Sequence, residues 1–207
     1  MIYNGYNEWF KPITDTEMVY QKYIEEPGYF FFLGNTDPKK NTERTLIAYA
    51  KYLDRSTVKR KLLMADLDKT YLDDIVERNH LEEMMQHIVM PGYIVNSDLP
   101  YIYNNAFAFL YTSLRESFGI PLLEAMACGT PVITSNTSSM PEIGGPDAIL
   151  VNPENPEEIV EKMLQLEEDD EFYRKQEDIG LVRAEQFSWR QTAELLLNLY
   201  ERVYKQR

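Results

Sequence analysis

Two glutamates, Glu116 and Glu124, stand eight residues apart in the segment RESFGIPLLEAMACGTPVITSNTSSMPEIGG (115–145). Glu116 falls in a polar turn. Glu124 falls inside an apolar run that reads as a helix, with Pro121 in its first turn and Gly129 as its stop. Between them Phe118, Gly119 and Ile120 form the turn into that helix, where backbone N–H groups have no intrahelical acceptor and are free to face an anion. A carboxylate just before such a turn and a second about one turn into the helix can point into one crevice. There they would accept hydrogen bonds from hydroxyls such as those of a ribose or a hexose. Residue types alone leave a second reading open, in which Glu116 caps a helix start and Glu124 is an ordinary surface position.

A second loop with chemical content is GNTDPKKN (34–41), which follows a continuous apolar run. It has the outline of a Walker A loop, but Lys39 occupies the place of the second glycine. Asn41 stands where a serine or threonine would hold magnesium, so that site is excluded. No G-x-G-x-x-G follows any strand-like run, which excludes the usual dinucleotide fingerprint. His80 and His87 have no cysteines or carboxylates at ligand spacing, and no metal site is expected.

The elements that must position these residues alternate along the chain. Short apolar runs at 29–33, 61–65, 87–90, 106–111, 131–135 and 148–151 read as six strands. Helical spacing recurs over 43–53, 70–78 and 120–128, with a short helix after Ser97 or Asp98, either of which can cap it. From Pro156 onward the pattern is helical, with a break near Ser188 and a last helix to about Tyr204. This alternation predicts an α/β fold: a parallel six-stranded sheet with helices on both faces, and ligands at the carboxyl ends of the strands. Residues 1–28 make a poor start for a self-contained fold, and the expectation is that the domain begins partway through a longer protein. The boundaries read as 1–28 interdomain linker, 29–187 domain and 188–207 C-terminal helix.

Composition narrows the function classes. The 207 residues are 44% hydrophobic and 27% charged, ordinary for a globular chain, and the longest apolar runs fall far short of a membrane span. A single cysteine, Cys128, forbids an internal disulfide and fits a reducing compartment; with no signal-like N-terminus, the expected location is cytoplasmic. A net charge of −13 argues against nucleic acid as a partner. The charge is uneven. Residues 154–178 hold eleven acidic and three basic residues and read as a solvated helical face, whereas 35–61 hold eight basic and three acidic ones. A basic loop after a buried strand is where an α/β protein would hold a phosphate.

With the residues set out, a resemblance is visible. ESFGIPLLEAMACGTPVITSN resembles, nearly position for position, the E-x7-E segment of the retaining GT-B glycosyltransferases of family 4, E-G/S-F-G-L-P-x-L-E-A-M-A-C-G-x-P-V. IYNG resembles the family's P-N-G linker, YFFFLGNTDPKKN occupies the place of its G-R-x-x-x-x-K-G loop, and MPGYIVNSDLPYIY that of its G-x-V-x-x-x-x-L-P-x-x-Y segment. EQFSWRQTAELLLNLYERVY is similar to its closing F-S-W helix.

The resemblance covers essentially the whole chain. It implies the C-terminal, Rossmann-like half of a GT-B fold: the donor-binding domain of a hexosyltransferase that moves a sugar from a UDP- or GDP-linked donor to a saccharide or lipid-linked acceptor. It further implies that Glu124 meets the ribose hydroxyls and Glu116 the donor sugar. Phe118, Gly119 and Ile120 would offer backbone N–H groups to sugar and phosphate, Lys40 would neutralise the diphosphate, and the backbone around Ile94 would meet the base. Gly34 and Asn35 belong to the same donor loop. Family chemistry proceeds with retention at the anomeric carbon and calls for no cofactor, protein nucleophile or metal. The N-terminal acceptor domain would lie outside this chain, leaving the fragment inactive alone, and peripheral association with a membrane and a part in polysaccharide assembly are family-level expectations.

One departure matters: the family's arginine after the loop glycine is Asn35 here. Losing one such donor costs about 3–4 kcal/mol of transition-state stabilisation, so donor binding is a firmer expectation than fast transfer. Lys39 and Arg115 are nearby cations, but neither holds the matching position. Two alternatives follow: a catalytically weak nucleotide-sugar-binding module, and a GT-B-fold nucleotide-sugar epimerase.

Overall fold

In the computed structural model, which describes residues 1–14 and 17–205, the six apolar runs are strands: β1 (Tyr29–Leu33), β2 (Leu62–Ala65), β3 (Ile88–Gly92), β4 (Ala106–Tyr111), β5 (Val132–Ser135) and β6 (Ile149–Val151). All pair in parallel, in the order β3-β2-β1-β4-β5-β6. Residues 15, 16, 206 and 207, which fall in the expected linker and C-terminal helix, lie outside the described residues. The helices in chain order are α1 (Glu17–Tyr20), α2 (Thr42–Arg55), α3 (Lys69–Asn79), α4 (Leu99–Asn105), α5 (Ile120–Ala127), α6 (Met140–Gly144), α7 (Pro156–Glu168), α8 (Asp170–Ala184) and α9 (Trp189–Lys205).

The continuous apolar character of β1 has a direct cause: both of its faces are covered. Phe30 and Phe32 point to one layer with Leu46 and Tyr49 of α2, Leu72 and Ile75 of α3 and Ile159 and Met163 of α7. Phe31 points to the other with Tyr103 of α4 and Leu122 of α5, its ring 5.3 Å from that of Tyr103 and 5.4 Å from that of Phe109. All three phenylalanines are buried, and each such side chain contributes roughly 1.5–3 kcal/mol of apolar burial. The sheet grows outward from β1 in one direction to β2 and β3, and from its other edge to β4, β5 and β6. The strand order therefore reverses between β1 and β4, and a crevice opens there at their carboxyl ends.

Four local expectations need correction. The helix after Asp98 forms, but neither Ser97 nor Asp98 caps it through a side chain; the Asp98 carboxylate instead accepts from Tyr23 Oη at 2.8 Å and pairs with Lys22 at 3.1 Å. Long-range partners outcompeted the local cap. The helical stretch from Pro156 breaks at Asp169 as well as at Ser188, because the Asp169 side chain accepts from Phe172 N and starts α8 anew. The five-residue α6 was not anticipated from the sequence.

The acidic stretch, finally, is not simply a solvated face. The Glu167 side chain is only 7% exposed, accepts from Tyr52 Oη and Ser56 Oγ and lies 3.6 Å from Arg60, while Glu157 pairs with Lys51 and Arg55. Much of the basic stretch is thus matched inside the fold, on α2 and the turn after it. Lys39 and Lys40 are the basic residues of the loop after β1.

Candidate functional site

The loop after β1 is folded by its own polar side chains. Asn35 Oδ1 accepts from Asp37 N at 2.9 Å, and Asp37 Oδ1 accepts from Lys39 N at 3.0 Å, which winds Pro38–Lys40 into a short 3-10 turn. Gly34 has no substitute at the start of the loop: a Cβ there would lie 2.1 Å from the Phe32 ring, which is itself packed in the core. Asn41 closes the turn in the left-handed region, at φ 59°. Its buried amide donates to Thr112 O at 3.0 Å and Pro153 O at 2.7 Å, tying together the loops after β1, β4 and β6. Leu114 N donates to Lys39 O at 2.7 Å and completes the seam.

That seam carries Lys40 to Glu116. Their Nζ and Oε1 atoms are 2.7 Å apart, although the residues are 76 apart in sequence, and the side chains are only 16% and 13% exposed. Lys40 also sits 5.5 Å from the centre of the Tyr111 ring, at the end of β4. Glu116 is held from behind by the loop after β5. Ser138 Oγ donates to Glu116 O at 2.6 Å, and Ser139 Oγ lies 3.1 Å from Glu116 O and 3.0 Å from Phe118 O. These serines, with Asn41, build the site although sequence reasoning passed over them. Serine and asparagine are common in loops, and nothing local marks a hydrogen bond made across the sheet.

Gly119 enters α5 at φ 103°, a conformation that only glycine takes without strain. The first backbone bond of the turn runs from Leu122 N to Gly119 O at 3.1 Å, so the N–H groups of Phe118, Gly119 and Ile120 precede the helical ladder. The Phe118 side chain packs against Tyr3 and Phe187, with ring centres 6.2 and 6.1 Å away.

Glu124 lies on α5, half-buried. Burial pushes its carboxyl up to about 7, and among the described residues no donor or cation offsets the shift. Its charge reaches Tyr111 and Tyr103, and Tyr111 also takes the charge of Glu116. Tyr111 at the carboxyl end of β4 therefore feels both glutamates, and burial together with these charges raises its hydroxyl well above the usual tyrosine range. The reading of Glu116 as a cap and Glu124 as a surface residue does not hold.

Gly34, Asn35, Lys40 and Ile94 line one cleft of about 210 Å³ at the ends of β1, β2 and β3, together with Asp66 and Tyr93. A larger cavity of about 390 Å³ opens on α6 and α8 around Asp147, Asp178 and Arg183, and none of the residues singled out from the sequence lines it. Lys39 pairs with Asp37 at 3.0 Å, and Arg115 is exposed with its charge within reach of Lys39. Among the described residues no group of three His, Cys, Asp or Glu side chains is disposed to hold a metal ion.

A parallel sheet whose strand order reverses between β1 and β4, with the Lys40–Glu116 pair at the carboxyl ends of those strands, can be set beside known proteins. The family described as Glycosyl transferases group 1 matches residues 15–181, and the chain belongs to that family. O-antigen chain mannosyltransferase B of Escherichia coli is 36% identical over 188 residues, covering 88% of this chain and 48% of that protein. The chain thus spans about half the length of that curated relative.

Among solved structures, sucrose-phosphate synthase from Thermosynechococcus elongatus superposes with a TM-score of 0.84 at 22% identity, over 100% of this chain and 53% of its own. Anabaena HepE, in complex with UDP and glucose, superposes with a TM-score of 0.82 at 16% identity, over 97% of this chain and 56% of its own. These likenesses show the fold: a Rossmann-like sheet of the GT-B glycosyltransferase kind. Among the described residues no helix is long and apolar enough to cross a membrane.

Proposed function

We propose that this chain is the donor-binding domain of a retaining glycosyltransferase that takes a sugar from a nucleotide-diphosphate sugar. One observation carries the reading: at the β1/β4 switch point Lys40 pairs with the Glu116 carboxylate, while Glu124 on α5 is half-buried with no hydrogen-bond or ion-pair partner among the described residues. Holding a carboxylate in that state opposes folding, and sites that do so are candidates for function. The ribose hydroxyls of a bound nucleotide would supply the donors that Glu124 lacks. The diphosphate would lie on Lys40 and the N–H groups of the Phe118–Ile120 turn, and the base against the backbone at Ile94. Glu116 would accept from the donor sugar. Gly34 and Asn35 would form the floor of the cleft.

In the transfer, the bond from the anomeric carbon to the β-phosphate oxygen breaks and the acceptor oxygen bonds to that carbon on the same face. The acceptor proton passes to the departing diphosphate. Lys40 stabilises the charge that develops there, and no metal or cofactor enters this scheme. Mannose is the sugar supported by the name of the 36%-identical relative. That relative is about twice as long, which supports an acceptor domain outside these 207 residues and a chain that binds donor without completing transfer alone. Cytoplasmic location and contact with a membrane surface belong to the same reading.

Asn35 favours a second reading, a nucleotide-sugar binder with slow transfer, because its side chain is committed to the loop and supplies no second cation. Calorimetric titration with UDP, GDP and ADP, followed by the sugar nucleotides of whichever binds, tests the site. One-to-one binding lost in Glu124→Ala is the expected result; a folded chain that binds none of them refutes the reading. Asn35→Arg in the full-length protein separates the two readings: a gain in turnover marks the missing arginine as the limiting defect, and no gain, with donor binding intact, counts against loss of leaving-group stabilisation as that defect.

A further inference from the structure

The Lys40–Glu116 pair is enclosed and fixed from both sides. Lys40 follows the Asn35–Asp37 turn and is tied to the next loop through Lys39 O, while Ser138 and Ser139 hold the Glu116 backbone. With 2.7 Å between them, an anion that reaches Lys40 also arrives beside the Glu116 carboxylate. An intact nucleotide sugar has an esterified β-phosphate and about two negative charges on its diphosphate. The released nucleoside diphosphate has a free terminal phosphate, which gains about one more charge near neutral pH. At this position the two ligands differ by that charge and by the sugar's hydroxyls. A fixed carboxylate repels the first and accepts from the second, and discrimination between ligands is as often built from repulsion as from attraction.

We propose that Glu116 discriminates the intact donor from the spent nucleoside diphosphate: its fixed charge repels the terminal phosphate once that group is free and carries its extra charge, and so favours product release. The inference rests on the nucleotide-sugar reading of the site. It adds to Glu116 a role in rejecting the product.

The test measures dissociation constants for GDP and GDP-mannose, and for UDP and UDP-glucose, in the 207-residue chain and in its Glu116→Gln and Glu116→Asp variants, with circular-dichroism melts as a folding control. Using the ratio of diphosphate to sugar nucleotide cancels any contribution from Glu124, which meets both ligands alike. In Glu116→Gln the diphosphate should bind roughly tenfold tighter relative to its sugar nucleotide, the effect of removing one charge from a largely enclosed site. Glu116→Asp, which keeps the charge, should hold the wild-type ratio to within about threefold. An unchanged ratio in Glu116→Gln, or equal shifts in the two variants, would overturn the inference. Absence of all nucleotide binding to the folded wild-type chain would overturn the site reading itself, a separate outcome.

Discussion

Replacing Glu124 with glutamine should make the protein more stable and less able to bind nucleotide. The carboxyl is pushed from the usual 4.5 up to about 7 by burial. A raised carboxylate pKa means that the native state binds more protons than the unfolded one between those two values. Stability therefore falls as pH rises from about 4.5 to about 7 and is level above that. Full conversion of the shift gives about 3.4 kcal/mol of destabilisation by the ionised carboxylate. Because the side chain is only half-buried and solvent screens part of this, about 1.5–3 kcal/mol is the working range. The difference should grow with pH, about 1 kcal/mol or more of it developing between about pH 5.5 and about pH 8.5.

Urea denaturation of the wild type and Glu124→Gln across that interval measures it directly. Calorimetry at the upper end should show nucleotide binding weakened in the variant, by about 1.5–3 kcal/mol for hydrogen bonds to a charged acceptor. A stability difference that does not grow with pH, or a variant no more stable than wild type in alkaline buffer, would mean that Glu124 is solvated or paired. It would remove the argument for a carboxylate held ready for a ligand.

Lys40→Met should weaken nucleoside diphosphate binding by roughly ten- to a hundredfold and leave the nucleoside unaffected, as titration of the two ligands would show; equal losses would take Lys40 off the phosphate. Asn41→Ala should destabilise the fold by about 3 kcal/mol in chemical denaturation, because two buried carbonyls, of Thr112 and Pro153, lose their donor. Gly34→Ala should lower stability by about 1–3 kcal/mol, read as a drop in thermal midpoint, since the added methyl would meet the packed Phe32 ring at 2.1 Å.

Much of the sheet was legible in the chain because its signals are local. A strand covered on both faces must be apolar throughout, as β1 is, and a helix on one face must repeat its apolar residues every turn. Of Leu46, Ile47, Ala50 and Leu53, whose spacing marks α2 in the sequence, Leu46 and Leu53 are buried, whereas Ile47 and Ala50 are only half-buried and Ala48, Tyr49 and Tyr52 complete the face. Caps and breaks were less legible wherever a side chain had a choice of partners: Asp98 bonds to Tyr23 and Lys22 rather than to its own helix, whereas Asp169 starts a helix in the middle of an apolar-periodic run. The spacing of Glu116 and Glu124 and the glycine between them are properties of the sequence by itself, as are the loop Gly34–Asn41 and the absence of an arginine at position 35.

What those residues do to one another belongs to the tertiary structure. The parallel register sets the ends of β1 and β4 side by side, and only this makes Lys40 the partner of Glu116 across 76 residues. The same packing lets Asn41 reach carbonyls 71 and 112 residues away and sends Ser138 and Ser139 beneath Glu116. Two glutamates of identical chemistry acquire opposite conditions, one paired with a lysine and the other pushed up to about 7 by burial with no partner among the described residues. Periodicity along a chain encodes which face of an element is dry. Desolvation and charge pairing depend on which elements meet, and folding settles that.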